Sequence, residues 1–302
     1  MNKYIITILV LLLLVVFAGG VIYTKRRHLP FQEIIALDQG IAVVNAQHWY
    51  MDDLKVVCKK NGRELGKKQY NDQGFVVFPN LENDNQYTVE IYRTDLKGKI
   101  LYKSLKRDIV PHKGGDKYYI LVGASIGKEW NIGKLPERLN LDDHVVFGTR
   151  TVYQFDKTQT VKNILALPFP VSGVILKECS AYFPRDARKS LKDLIAWDEN
   201  LKKRGIKPIL ATTVPLTARR AGEVPEKQKS LEHFNDLIRQ YGKQAKNPVL
   251  DLEVALRVSA TKRYLKDDFA QKDGTHLVKK AYKEALDPIV LPVLNSSEGK
   301  SK

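Results

Sequence analysis

From Lys117 onward, strand-length apolar runs alternate with amphipathic stretches, an order that few architectures accept. Residues 118–122 form a continuous apolar run, as a strand buried on both faces requires. Residues 145–147, 173–176, 208–211 and 249–252 supply four more runs. Between them, Leu191, Leu194, Ile195 and Leu201 mark one helical face, and Leu231, Phe234, Leu237, Ile238 and Tyr241 mark another. The residues around 281–285 suit a final helix. Strands alternating with helices in this way predict an α/β domain in three layers, α/β/α, around a five-stranded parallel sheet.

The beginning of the chain has a different character. Residues 5–22 carry no charge, and Thr7 is the one ordinary polar side chain among them. Extended by Tyr4 and Tyr23, the stretch makes about 30 Å of helix, enough to cross a bilayer. The expectation is a single-pass membrane anchor over residues 1–28, with the globular part periplasmic or extracellular. Two alternatives stand beside it. Ala18, Gly19 and Gly20 offer a peptidase the small residues of a cleavable signal, and Lys25, Arg26 and Arg27 favour a cytoplasmic globular part by the positive-inside tendency.

Residues 29–112 read as a small all-β sandwich. Strand-length runs fall at residues 54–58, 75–78, 87–92 and 100–102. Turn residues separate them: Asn61 with Gly62, Asp72 with Gly74, and Lys97 with Gly98. Leu81, followed six residues later by Tyr87 and then by Thr88, Val89, Glu90 and Ile91, resembles the tyrosine corner of fibronectin type III domains. That resemblance implies a spacer or adhesion module without chemistry of its own. Residues 292–302 form a polar tail.

Charge narrows the choice of partners. Of the 302 residues, 50 are Lys or Arg and 34 Asp or Glu, a formal net charge of +16. Residues 31–112 hold 12 basic and 11 acidic residues and residues 1–30 four basic ones, so +11 falls on residues 113–302. Lys202, Lys203 and Arg204, like Lys279 and Lys280, sit on expected helix surfaces without interleaved aromatics. Such runs are ordinarily solvated faces, and no nucleic acid is expected as partner. An anionic envelope surface suits the basic domain better. No Gly-x-Gly-x-x-Gly follows a strand and no Walker-type Gly-x-x-x-x-Gly-Lys-Ser/Thr is present. His28, His48, His112, His144 and His233 show no metal-ligand spacing, and Cys58 and Cys179 fall in different expected domains. Neither a cofactor nor a metal is expected.

In an open parallel sheet, ligands sit beyond the carboxyl ends of the strands. The first strand ends in Gly123-Ala124-Ser125, a serine at the turn into a helix, and the second is expected to end at Gly148. The third runs into Glu178, Cys179 and Ser180, and Asp273 and His276 follow the fifth, ahead of the last helix. A serine becomes nucleophilic when a base takes its proton and that base is held in one orientation. Asp273 can hold His276, and His276 can serve Ser125.

This order of residues resembles the SGNH (GDSL-type) hydrolase superfamily over residues 113–291. Gly123-Ala124-Ser125 matches its nucleophile block, Gly148 the glycine whose amide binds the oxyanion, and Asp273 and His276 its last block. The third block's asparagine falls on Ser180, Glu178 stands where a glycine is usual, and Ala124 replaces the usual aspartate. The resemblance implies a serine esterase with Ser125, His276 and Asp273 as triad and Gly148 and Ser180 as oxyanion contacts. Its expected substrate is an acylated small molecule or envelope glycan. A scaffold protein that keeps the fold without effective catalysis, and an O-acyltransferase using the same triad, are the alternatives.

Overall fold

In the computed structural model of the protein, residues 32–46, 53–94, 100, 105–141 and 144–295 are described. The apolar segment at residues 5–22 lies outside them, as does the tail beyond Asn295. Among the described residues, no helix is long and apolar enough to cross a membrane. The chain divides into two compact units, Met1–Lys113 and Gly114–Lys302.

The first unit consists of two antiparallel sheets. One holds β1 (Gln32–Leu37), β2 (Gly40–Asn45) and β5 (Phe75–Pro79) in the order β1-β2-β5. The other holds β3 (Leu54–Lys60), β4 (Arg63–Gln69), β6 (Tyr87–Arg93) and β7 (Leu105–Ile109) in the order β4-β3-β6-β7. Apolar side chains from both sheets, among them Ile41, Val43, Val56, Phe78 and Val89, share one core. β6 alternates buried and half-buried positions along its length, as a strand with one wet face should. Asn61 and Gly62, both with positive φ, make the tight β3–β4 hairpin. The Tyr87 hydroxyl accepts the Glu82 backbone N–H at 3.0 Å. Of the strand expected at residues 100–102, only Ile100 lies among the described residues. Ile100 makes an isolated bridge to Thr94, and β7, an edge strand beside β6, turns its polar residues to water.

The second unit is a three-layer α/β/α domain on a five-stranded parallel sheet. Its strands are β8 (Lys117–Gly123), β9 (Val145–Thr151), β10 (Gly173–Lys177), β11 (Lys207–Ala211) and β12 (Val249–Leu250), ordered β12-β11-β10-β8-β9. The order reverses at β8, which has β9 on one side and β10 on the other. This reversal is the crevice where open α/β sheets bind ligands. The helices are α1 (Ser125–Glu129), α2 (Leu135–Leu139), α3 (Thr158–Leu165), α4 (Ala187–Lys203), α5 (Ala218–Glu223), α6 (Pro225–Ala245), α7 (Leu252–Leu256) and α8 (Lys279–Ala281). A π turn (Tyr282–Leu286) then leads into α9 (Asp287–Asn295).

Local chemistry explains several boundaries. Asp186 caps α4 by accepting the backbone N–H groups of Arg188 and Lys189. The buried face of α4 (Ala187, Ser190, Leu194, Trp197 and Leu201) keeps helical spacing. Buried Asp198 ties α4 to the end of α6 by accepting from Tyr241 Oη at 2.7 Å and Asn247 Nδ2 at 2.6 Å. The fifth strand is shorter than its apolar run. Asp251 accepts the Val254 N–H and starts α7, so Leu252 belongs to a helix. The last helix carries on through Pro292 to Asn295.

Gly242 marks where α6 and β12 come closest, since a methyl there would begin 2.3 Å from Val249 Cγ2. Gly242→Ala is therefore expected to destabilise the domain by about 1–3 kcal/mol through overpacking. The urea midpoint checks this, and an unchanged midpoint would show that Val249 yields freely.

Candidate active site

Ser125 is the first residue of α1, two positions beyond the end of β8 and half-buried at the sheet's switch point. Its Oγ lies 3.0 Å from His276 Nε2. The other ring nitrogen, Nδ1, is 2.5 Å from Asp273 Oδ2. With Nδ1 donating to that carboxylate, Nε2 is free to accept the serine proton. The serine and the histidine are 151 residues apart in the chain, and the fold makes them neighbours.

The loop carrying the acid and the base is closed on itself. Asp273 Oδ1 accepts the backbone N–H groups of Thr275 and His276, each at 3.0 Å. The Gln271 N–H donates to the His276 carbonyl at 2.7 Å, and the Gly274 N–H returns to the Gln271 carbonyl at 2.9 Å. Gly274 has φ +69, and a methyl there would begin 2.5 Å from Thr217 Oγ1 and 2.9 Å from Arg220 Cβ. A glycine is required at that point on both counts.

Partial burial alone would raise the Asp273 pKa. The hydrogen bonds from the His276 ring and from two backbone amides outweigh it and hold the carboxyl down at about 2. In an unfolded chain an aspartate titrates near 3.9. The stability Asp273 lends is thus fully present above about pH 5 and lost as pH falls toward 2. The stability difference between the wild type and Asp273→Asn, followed by urea midpoints, is expected to narrow over that range. A difference that stays constant from pH 5 to 2 would contradict the assignment.

The expected oxyanion residues fare differently. Ser180 opens a 3-10 turn (Ser180–Tyr182) just past β10, on the loop neighbouring Ser125. It is 1% exposed, and its Oγ makes no hydrogen bond within the described structure. Gly148 is not brought to the site. It lies inside β9, paired with Ile120, whereas Thr151 is the residue opposite Gly123. Three residues of strand place Gly148 about 10 Å short of the turn. The strand was expected to stop at the glycine, but Thr149, Arg150 and Thr151 continue the ladder. The segment that does reach the turn begins at Val152, whose N–H donates to the Gly123 carbonyl at 2.8 Å.

Beneath the third block lies a buried ion pair that the sequence did not disclose. Lys157 Nζ donates to both Glu178 carboxylate oxygens at 2.6 Å, and both side chains are 1% exposed. The ammonium sits 5.5–5.7 Å from the ring centroids of Phe155, Tyr182 and Trp197. Burial draws the Lys157 pKa down and pushes that of Glu178 up, and each charge opposes the other's neutralisation. Lys177, also 1% exposed, donates to the Glu178 carbonyl at 2.9 Å, and its burial lowers its pKa too. Tyr182 joins this block to β9 by donating from its hydroxyl to the Val152 carbonyl at 3.1 Å. Consecutive charges directly after a buried strand were the available signal, but the partner Lys157 lies 21 residues away.

No protein-family model matches the chain, and no curated protein matches it. Several solved structures are similar to part of the chain. A GDSL-like lipase from Bacteroides thetaiotaomicron is 16% identical at a TM-score of 0.47, covering 60% of this chain and 88% of that one. A lipase/acylhydrolase from Enterococcus faecalis is 19% identical at 0.45, covering 62% and 97%. A member of the lipolytic protein G-D-S-L family from Veillonella parvula is 14% identical at 0.46, covering 59% and 98%. The chemistry open to Ser125 is set by the distances around it.

Removing one partner of the buried pair strands the other's charge. Lys157→Ala or Glu178→Ala is expected to cost about 3–5 kcal/mol. The double substitution Lys157→Met/Glu178→Leu should recover most of that loss in urea denaturation. A double variant as unstable as either single one would show that the charges themselves are needed.

Proposed function

We propose that the protein is a serine esterase that hydrolyses O-acyl esters through Ser125, His276 and Asp273. The observation that carries the reading is the relay itself, with 3.0 Å from serine to histidine and 2.5 Å from histidine to aspartate. Ser125 Oγ attacks the ester carbonyl carbon while His276 Nε2 takes its proton. The tetrahedral intermediate then collapses, and the departing alcohol leaves with the proton from His276. Water attacks the acyl-serine, giving its proton to His276, and the acid departs as Ser125 recovers its hydrogen. Asp273 holds the ring in the tautomer that leaves Nε2 free and stabilises the imidazolium formed in each half-reaction. Ser180, which takes the place of the third-block asparagine in the resemblance, is assigned one contact to the oxyanion.

The same proposal extends to the rest of the chain. Residues 5–22 anchor it in a membrane, the first unit serves as a fibronectin type III-like spacer, and the second unit works outside the cytoplasm on an acylated envelope glycan. The net +11 of residues 113–302 supports an anionic envelope surface as its surroundings. A second reading, a binding protein that keeps the fold without turnover, is favoured by one feature. Ser180, a hydroxyl, stands where the resemblance calls for an amide side chain.

Hydrolysis of p-nitrophenyl acetate and labelling by a fluorophosphonate probe distinguish the two. The wild type is expected to do both and Ser125→Ala neither. Asp273→Asn should lower kcat on the order of 10⁴-fold, and Ser180→Ala about 100-fold. Equal rates in the wild type and Ser125→Ala, or no labelling of the wild type, would favour the binding reading.

A further inference from the structure

Asp273 and His276 belong to one short loop, so their mutual geometry is set locally. The Ser125–His276 distance is not, because the serine rides on α1 and the histidine on a segment more than 140 residues later. Something must hold α1 against that segment. α1 has five residues, and Glu129, its last, lies one turn beyond Ser125 on the same helical face.

The Glu129 carboxylate meets the base-bearing segment twice, both times through Oε2. It accepts the Tyr282 hydroxyl at 3.2 Å and Gln271 Nε2 at 3.5 Å. Neither donor is a bystander. Gln271 closes the loop that presents Asp273 and His276, with its N–H on the His276 carbonyl and its Nε2 on the Leu277 carbonyl at 2.8 Å. Tyr282, 5% exposed, opens the π turn after α8. A π turn inserts an extra residue into a helix and re-aims the turns beyond it.

The next residue strengthens the junction. Trp130 Nε1 donates to Asp287 Oδ1 at 2.7 Å, and Arg138 donates to both Asp287 oxygens, at 2.6 and 2.9 Å. Asp287 is 2% exposed, so this second tie is a buried structural brace. Glu129 is exposed and takes no part in the brace, so its removal leaves that tie in place.

We infer that Glu129 is a positioning residue, whose carboxylate fixes the serine helix against the Asp273–His276 loop by accepting from Tyr282 and Gln271. The inference rests on the esterase reading. Its effect falls on the reacting distance rather than on substrate affinity, because misplacement of a nucleophile by a fraction of its reach slows the chemical step.

The test measures kcat and KM for p-nitrophenyl acetate, the rate of fluorophosphonate labelling, and Tm for the full-length wild type and four variants. Glu129→Ala is expected to lower kcat and the labelling rate about tenfold, with KM within about twofold of the wild type. Glu129→Gln, which keeps an oxygen acceptor for Tyr282, should restore most of that loss. Tyr282→Phe should lower kcat by a similar factor, and the Glu129→Ala/Tyr282→Phe double variant should fall little further. Wild-type kcat in Glu129→Ala, an equal loss in Glu129→Gln, or a loss that tracks a lowered Tm would overturn the inference while leaving the esterase reading intact. A wild-type protein that neither turns over the ester nor takes the label would overturn both.

Discussion

A 3.0 Å hydrogen bond between Ser125 and His276 joins residues 151 positions apart, and the second unit is arranged so that it forms. The register of β8 against β10 puts Val122 beside Leu176, which brings the serine turn next to the third block. The order β12-β11-β10-β8-β9 makes that pair of strands the switch point, where the chain leaves the sheet toward opposite sides and opens a crevice. The loop from Gln271 to Leu277, at this crevice, is closed by its own hydrogen bonds. Those bonds fix the acid and the base relative to one another independently of the serine. A local unit of two groups therefore has to be docked against a third, which is a smaller demand than assembling three independent side chains.

The floor beneath the third block combines several costs. Two lysines and a glutamate are almost fully buried there, and Ser180 is buried without a partner. A buried pair seldom adds net stability over an apolar pair of the same volume, but it tolerates few alternative arrangements. Lys157 is held by both Glu178 oxygens, the Phe155 carbonyl and three rings, so Glu178 has one position, and Ser180 two residues later inherits it. Buried charge here serves to place a turn.

How far the sequence disclosed this depends on which physical signal each element carries. β8, β10 and β11 were legible because strands covered on both faces are continuous apolar runs. β4 and β7 carry mostly exposed, charged side chains and leave almost no such signal. β9 misled by its glycine, which reads as a strand end but is accommodated within the ladder. The Ser125, Asp273 and His276 assignments rested on reactive residue types at the ends of predicted strands. Contacts between segments, such as Lys157 with Glu178, Trp130 with Asp287 and Glu129 with Tyr282, leave no trace in composition or period. Residue types can nominate a site, whereas its supports depend on registers that are fixed only when the sheet forms.

The substitutions at the oxyanion side and the tight closure of the acid–base side bear on one another. Hydrogen-bond donors aimed at the developing oxyanion and a correctly held base act on the same barrier. Here a hydroxyl stands at the position where the resemblance implies an amide side chain, and Gly148 is too far down β9 to contribute. The base, by contrast, is held by several hydrogen bonds. Asp273 makes three hydrogen bonds to the loop, Gln271 closes it, and Glu129 and Asp287 tie the serine helix to the segment behind it. On the esterase reading, the support visible for the reaction lies on the base side, in the Ser125–His276–Asp273 relay and the loop bonds that hold it.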